Sequence, residues 1–265
     1  MDFKKNIWVE NEKNINEFSS EYWNNPEEEK EKIWGKWETN FTELDSKFKK
    51  KGLYQQYINI INNNSVVVEK KRILSLGAGI CMLEAQILKK NPEVERIINV
   101  EFSRHRIFEI APNIFSKYSA DKNKVELVLG NFFEIKVDSG SVGIVLMSQA
   151  FHHADKPHNL LKEIYRVLDS TGCVIIIGEH YFSKSEILSR FFKHFIKYLI
   201  NYKGIRKISN IWPSWRAMFP IDKIKGDHHY SYSQYKSMFN DAGFIWERYV
   251  FTEYNNQGFI LKKNI

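Results

Sequence analysis

From about residue 71 onward, short apolar runs alternate with longer stretches in which apolar residues recur every three or four positions. An unbroken apolar run predicts a buried strand, and the spaced pattern predicts an amphipathic helix. The five runs are Arg72–Leu76, Ile97–Val100, Val125–Leu129, Val142–Met147 and Cys173–Ile177. Strands separated by helices in this way predict βαβ units and a parallel sheet that is buried on both faces.

Helices are predicted by the spaced pattern between and after these strands. Met82–Lys90 and Pro157–Leu168 each have an apolar face, and Pro157 suits the first turn of its helix. Near the end of the chain, Ser231–Ala242 predicts a further helix. It is followed by two closing strands, Phe244–Phe251 and Gly258–Lys262.

Two segments depart from the alternation. Residues 1–65 show helical spacing and no strand alternation, and residues 184–230 begin with a long helical stretch, Ser185–Tyr202, that leads into a stretch containing Trp and Pro. We therefore predict an N-terminal helical cap over 1–65 and a ligand-binding core formed by 66–183 and 231–265. Residues 184–230 are predicted to form an inserted basic and aromatic lid.

Composition excludes some classes of protein. Hydrophobic residues make up 43% of the chain and charged residues 27%, values typical of a globular domain. No apolar run approaches the roughly 18 residues of a membrane span, and the charged start does not resemble a secretory signal. With only two cysteines, a disulfide-stapled secreted domain is not expected. We expect a cytoplasmic protein without membrane insertion, and the oligomeric state stays open.

A glycine turn follows the first predicted strand. Gly77-Ala78-Gly79 leads into a helix. Glycines let the backbone approach a ligand closely, and the start of a helix offers free N–H groups. Glu101 ends the second strand, where a carboxylate can accept hydrogen bonds from both hydroxyls of a ribose. The structural alternatives are a plain tight turn and a charge at the start of the following helix.

Polar residues also follow the third strand. Asn131 can hydrogen-bond the exocyclic amine of an adenine, and Phe132 can pack on the base. The alternative for Asn131 is to cap a turn.

The segment after the fourth strand has the most specific pattern. Ser148-Gln149-Ala150-Phe151-His152-His153 is followed by Pro157, by a helix that ends Tyr165-Arg166-Val167-Leu168, and by a turn at Gly172. This order resembles the motifs of class I S-adenosylmethionine-dependent methyltransferases, in particular the small-molecule subgroup that includes the ubiquinone and menaquinone biosynthesis methyltransferases. Residues 70–180 carry the resemblance, and 231–262 carry it more loosely.

The resemblance implies an α/β fold, with a Rossmann-like sheet of seven mostly parallel strands, helices on both faces, an antiparallel last strand and helical lid elements. It also implies that S-adenosyl-L-methionine binds over the first, second and fourth strands and leaves as S-adenosyl-L-homocysteine. The implied cofactor-binding residues are Gly77 and Gly79 at the methionine part, Glu101 at the ribose, Asn131 and Phe132 at the adenine, and Ser148 and Gln149 near the sulfonium, together with Ala78 and Phe102 beside them.

Two positions depart from the family pattern. The family usually has an acidic residue where this chain has Ser75 and a third glycine where it has Cys81. Ser75 removes a carboxylate near the amino end of the cofactor. Glu84, on the following helix, either compensates for this loss or lies at the edge of the core.

Histidines are the candidates for activating the methyl acceptor, because imidazole exchanges protons near neutral pH. For a hydroxyl acceptor we predict His180 or His152 as the general base, with His228 and His229 behind them, whereas an amine can react without a base. No partner set has the spacing of a metal site, so no metal is expected. The predicted acceptor contacts are Tyr22, Trp23, His153, Tyr181, Trp215, Arg216 and Tyr230.

Charge indicates the kind of acceptor. The formal net charge is +7, and residues 190–225 hold nine Lys or Arg against one acidic residue, Asp222. A basic aromatic lid suits an anionic small metabolite, such as a phosphorylated, sugar or nucleotide-linked one, although a solvated helical face has the same composition. We predict methylation of an oxygen or nitrogen on such a metabolite. The alternatives are an RNA acceptor, which is less expected without an added RNA-binding module, and a non-catalytic partner subunit with a cofactor-binding fold.

Overall fold

The computed structural model describes residues 2–8, 37–66, 71–201, 213–222 and 226–265. In these ranges, eight strands form one sheet. They are β1 (Lys4–Ile7), β2 (Arg72–Leu76), β3 (Arg96–Glu101), β4 (Val125–Leu129), β5 (Val142–Ser148), β6 (Leu168–His180), β7 (Phe244–Phe251) and β8 (Asn256–Lys263). Their spatial order is β1-β4-β3-β2-β5-β6-β8-β7. Within the described sheet, β8 runs in the direction opposite to the other strands, so the α/β class and the antiparallel last strand are confirmed.

The predicted number of strands was wrong. The sheet has eight strands instead of seven because β1 pairs in parallel with the outer edge of β4, from Lys4 opposite Glu126 to Ile7 opposite Leu129. This strand lies in the segment that was predicted to be helical. A four-residue edge strand leaves most of its side chains in solvent, so no apolar run marks it in the sequence.

The described ranges contain eight α-helices. They are α1 (Trp37–Lys51), α2 (Leu53–Asn63), α3 (Met82–Lys90), α4 (Ala111–Lys117), α5 (Pro157–Val167), α6 (Lys184–Asn201), α7 (Trp215–Met218) and α8 (Tyr232–Asp241). The prediction for α3 is confirmed residue for residue, and those for α5, α6 and α8 are confirmed with shifts of one residue at their ends. In the described ranges, no helix is both long enough and apolar enough to cross a membrane.

Two apolar clusters attach helices to both faces of the sheet. On one face, Tyr57 and Ile60 of α2 pack in a cluster that includes Ile144 of β5. On the other face, Leu160 of α5 and Phe239 of α8 pack in a cluster with the remaining side chains of the central strands. Burial on both faces is the reason why these strands are unbroken apolar runs in the sequence.

The strand order creates a crevice at one edge of the sheet. From β2 the chain moves outward through β3 to β4, and it then returns to β5 on the other side of β2. Ligands of open α/β sheets bind at such a reversal, outside the carboxyl ends of the strands. Leu76, Glu101 and Ser148 end the three strands that flank this point.

Trp8 tests whether β1 belongs to the cooperative fold. Its indole is 7% exposed and packs with Leu76 and Val128, and its amide donates to the carbonyl of Leu129 (2.8 Å). Trp8→Ala should lower the free energy of unfolding by about 3 kcal/mol, because it leaves a cavity in this cluster. Ile7→Ala removes a side chain that is 55% exposed and should change it by less than about 0.5 kcal/mol. Urea unfolding measures both, and equal midpoints would show that β1 contributes nothing to the fold.

Candidate active site

A cavity of about 550 Å³ opens at the carboxyl edge of β2, β3 and β5. All nine residues that were predicted to bind the cofactor line it. They are Gly77, Ala78, Gly79, Glu101, Phe102, Asn131, Phe132, Ser148 and Gln149. These residues come from four separate segments of the chain, so the strand order alone brings them together.

The glycine turn is shaped for close approach by a ligand. Gly77 and Gly79 both have positive φ angles, of 69° and 57°, which glycine adopts at little cost. A Cβ at Gly77 would lie 2.7 Å from the Cβ of Ala150, so a larger residue does not fit there. At Gly79 a Cβ would meet no atom within 4 Å, because this side of the turn faces the open cavity.

Glu101 fastens this turn to the end of β3. Its Oε2 accepts a hydrogen bond from the amide of Gly79 (2.7 Å), and its Oε1 accepts one from the amide of Ser103 (2.9 Å). The side chain is largely buried, yet it lines the cavity. Because a carboxylate oxygen accepts more than one hydrogen bond, each oxygen can also receive a ligand hydroxyl.

Glu84 restores a carboxylate beside Ser75. The Ser75 hydroxyl donates to Glu84 Oε1 (2.6 Å), and Glu84 is fully buried at the cavity wall. Burial raises the pKa of Glu84 to about 7 from its ordinary value of 4.5.

The backbone at Cys81 explains why the family usually has a third glycine at this position. Cys81 adopts a left-handed φ of 61°, and its side chain is buried in the core, which offsets the backbone strain.

Hydrogen bonds within the protein hold two of the side chains that were predicted to lie near the adenine and the sulfonium of the cofactor. Asn131 Oδ1 accepts from the amide of Phe133 (2.8 Å), so Asn131 does form the turn that was considered as an alternative. Its second lone pair and its amide group stay available to a ligand. Gln149 Oε1 accepts from Lys51 Nζ (3.1 Å), which connects β5 to helix α1.

Histidines gather at the other end of the cavity. His152 Nδ1 lies 3.1 Å from Glu179 Oε1, and Tyr235 donates its hydroxyl to Glu179 Oε2 (2.8 Å). Burial alone would lower the pKa of His152, but the charge and hydrogen bond of Glu179 raise it above the ordinary value of 6.5. The same pairing holds the pKa of Glu179 below its ordinary value although burial opposes this. His152, Glu179 and Tyr235 therefore form one buried polar chain.

His180 and Asp227 complete this end of the cavity. The rings of His180 and His152 lie 4.8 Å apart between centroids, and the buried Nε2 atom of His180 has no hydrogen-bond partner among the described residues. Burial, together with the nearby His152, lowers the pKa of His180 to about 4. Asp227 Oδ1 lies 3.1 Å from His153 Nδ1. The pKa of Asp227 is about 2 because His153 and its neighbours outweigh the effect of burial.

The other two candidate bases do not line the cavity. His228 Nε2 lies 2.8 Å from Asp155 Oδ1, and His229 Nδ1 lies 2.8 Å from the carbonyl oxygen of Pro220. Among the predicted acceptor contacts, His153 lines the cavity, whereas Tyr181, Trp215, Arg216 and Tyr230 do not. Trp215 donates to the carbonyl of His229 (2.5 Å), and Tyr230 donates to that of Ala154 (2.7 Å). Tyr22 and Trp23 lie outside the described residues.

Sequence reasoning missed several cavity residues. Helices α1 and α2 close one side, although the acceptor contacts on the N-terminal segment were predicted near residue 22. The residues involved are Leu44, Lys47, Phe48, Lys51 and Leu53. Asp227 was also missed, because an acidic residue in a loop carries no signal of its own. The helical spacing around Leu53 indicated a buried face but could not indicate what that face covers.

Sequence comparisons relate the segment that forms much of this cavity to known proteins. Residues 74–176 match the family described as "Methyltransferase domain". A carboxy-S-adenosyl-L-methionine synthase of Shewanella halifaxensis is 28% identical over 142 residues, which cover 51% of this chain and 56% of that protein. The chain spans about half the length of the curated relatives it matches.

Solved structures show the same fold. A proposed S-adenosylmethionine-dependent methyltransferase of Methanococcus maripaludis superimposes with a TM-score of 0.57 at 16% identity, over 92% of this chain and 94% of that one. A methyltransferase of Aquifex aeolicus with the same cofactor dependence gives 0.53 at 17% identity, over 82% and 97%. At these identities the likeness concerns the fold alone.

Glu84 makes the stability of the fold depend on pH. Because its pKa is raised to about 7 in the folded state, its stabilising contribution is complete below pH 4.5 and is lost as the pH rises through 7. Glu84→Gln cannot ionise and still accepts from Ser75. We expect it to be more stable than wild type by about 3 kcal/mol above pH 8, at about 1.4 kcal/mol per pKa unit.

Chemical denaturation between pH 5 and pH 9 measures this difference, which should shrink toward zero at the acidic end. Glu93→Gln removes an exposed carboxylate just after the same helix and is the matched control. A stability difference between Glu84→Gln and wild type that stays constant over this pH range would contradict a raised pKa for Glu84.

Proposed function

We propose, from the match of residues 74–176 to the methyltransferase domain family, that the protein is a class I S-adenosylmethionine-dependent methyltransferase. Its acceptor would be an oxygen or nitrogen of a small polar, anionic metabolite. The observation that carries the proposal is the convergence of all nine predicted cofactor residues on one cavity whose far end holds His152 and His180. One pocket thus offers a nucleoside site and, next to it, groups that can act on an acceptor.

The donor site follows from the contacts of Glu101. The amides of Gly79 and Ser103 hold the carboxylate at the cavity wall, so its free lone pairs face the ribose hydroxyls. The open side of Gly79 gives the methionine part room to approach the backbone. Asn131 and Phe132 would take the adenine, and Ser148 and Gln149 would lie near the sulfonium. S-adenosyl-L-homocysteine is then the product.

The acceptor site is proposed at His180. Methyl transfer is an in-line displacement, so the enzyme must align the acceptor with the methyl group and exclude water. The ring of Phe182 packs against Phe219 (4.2 Å between centroids) and lies 6.2 Å from the ring of His180. Trp215 stacks on Phe219 (4.3 Å). This packing supports the proposed lid over 184–230, which would shield His180. Tyr181, before the lid, and Arg216 and Tyr230 within it stay predicted acceptor contacts.

An anionic metabolite is favoured by the charge of the lid and the cavity. The segment 190–225 is strongly basic, and Lys51 lies at the cavity wall. An RNA acceptor has less support because the candidate groups lie inside a pocket instead of along an open basic groove. A non-catalytic subunit has less support because each predicted donor-binding residue lines the cavity.

Donor binding is tested at Glu101. Glu101→Ala should weaken the binding of S-adenosyl-L-homocysteine by about 1.5–3 kcal/mol, because it removes charge-assisted hydrogen bonds to the ribose. Glu101→Gln keeps one acceptor oxygen and should lose less. Isothermal titration calorimetry measures both, and an unchanged affinity for the Ala variant would refute the donor site.

Acceptor activation is tested at His180. His180→Gln should lower turnover by about 10²–10⁴-fold, the usual contribution of a group that acts on the acceptor's proton. Its affinity for S-adenosyl-L-homocysteine should stay close to that of wild type. His158→Gln, on the exposed surface of α5, is the matched control. Turnover within about threefold of wild type for the His180 variant would remove His180 from the mechanism.

A further inference from the structure

We propose that His152, His180 and Asp227 bind a divalent transition-metal ion that activates the methyl acceptor, an inference that rests on the proposed function. One nitrogen or oxygen atom from each of the three side chains lies within 4.8 Å of those of the other two. No other group of three His, Cys, Asp or Glu residues meets this spacing in the described part of the chain. The residues are far apart in the sequence, which is why the absence of a metal was expected.

The chemistry of the three side chains selects the class of ion. Two imidazoles and one carboxylate form a frequent ligand set for Zn²⁺ and Fe²⁺. Mg²⁺ and Ca²⁺ prefer sets made of oxygen atoms. Three protein ligands also leave coordination positions open for a substrate atom. The set therefore corresponds to a catalytic metal site and not to a closed structural one.

The surroundings of His152 support this role. Metal-binding histidines commonly use one ring nitrogen on the ion and donate the other ring N–H to a carboxylate. His152 has this arrangement, because its Nδ1 lies 3.1 Å from Glu179, and Tyr235 holds the other oxygen of that carboxylate. The Nε2 atom of His152 is then the one turned toward the proposed ion.

His180 and Asp227 offer the remaining ligand atoms. The Nε2 of His180 is a buried polar atom without a hydrogen-bond partner among the described residues, which is a costly arrangement that coordination to an ion would relieve. Asp227 approaches His153 through Oδ1, and its carboxylate has a second oxygen for the ion. The three side chains can thus each offer one ligand atom while His152 keeps its contact with Glu179 and Asp227 keeps its contact with His153.

The position of the set gives the ion a function. His152, His180 and Asp227 line the same cavity as the glycine turn and Glu101. An acceptor oxygen bound to the ion loses its proton to water more easily, because the ion stabilises the oxyanion. The lone pair of that oxygen then forms the bond to the methyl carbon. The carbon–sulfur bond breaks, and its electron pair stays on the sulfur of S-adenosyl-L-homocysteine.

Titration of the 265-residue chain with Zn²⁺ after treatment with a chelator tests the site. Calorimetry should show one ion per chain for wild type. His180→Gln and Asp227→Asn should weaken the affinity at least about 100-fold, because each removes a direct ligand. His158→Gln should bind Zn²⁺ like wild type, and thermal melts check that each variant folds. Equal Zn²⁺ affinity for wild type and both ligand variants would overturn the proposal.

Titration with S-adenosyl-L-homocysteine separates this test from that of the proposed function. If the chain binds S-adenosyl-L-homocysteine but Zn²⁺ binding does not depend on His180 and Asp227, the metal site is refuted, and His180 acts on the acceptor directly. If the chain does not bind S-adenosyl-L-homocysteine, the proposed function fails, and the metal inference fails with it.

Discussion

The site depends on the carboxylate of Glu101. Its two oxygens accept hydrogen bonds from the amides of Gly79 and Ser103, so this side chain links the glycine turn after β2 to the end of β3. The amide of Gly77 also donates to the carbonyl of Val100 (2.9 Å), so side-chain and backbone contacts together hold the turn to β3. The strand order places this pair of loops beside the end of β5, where the chain reverses across β2. These contacts thus fix the part of the cavity in which the proposed nucleoside site lies.

Buried charge at the other end of the cavity is organised in the same way. His152 and Glu179 are buried, and their contact raises the pKa of His152 and lowers that of Glu179, because an unpaired charge at this depth would cost several kcal/mol. Tyr235 joins them, so helix α8 also positions this polar chain. The cavity therefore lies between two polar assemblies, one around Glu101 and one around His152.

The sequence predicts the central fold well and the acceptor end poorly, for physical reasons. Strands such as β4 are buried on both faces, so they appear as apolar runs, and the residues after them fall at one edge of the sheet. The edge strand β1 leaves no such mark. The convergence of Asp227 with His152 and His180 depends on how a loop folds back over β6. The position of Leu53 at the cavity likewise depends on contacts between its helix and residues far away in the sequence.

A crystal structure with S-adenosyl-L-homocysteine bound is the most direct test of the central claim that one cavity places the donor between Glu101 and His180. The account predicts both ribose hydroxyls at about 2.6–3.2 Å from Glu101 Oε1 and Oε2, with the sulfur directed toward His180. A ligand bound outside this cavity, or one turned so that its adenine meets the histidines, would contradict it.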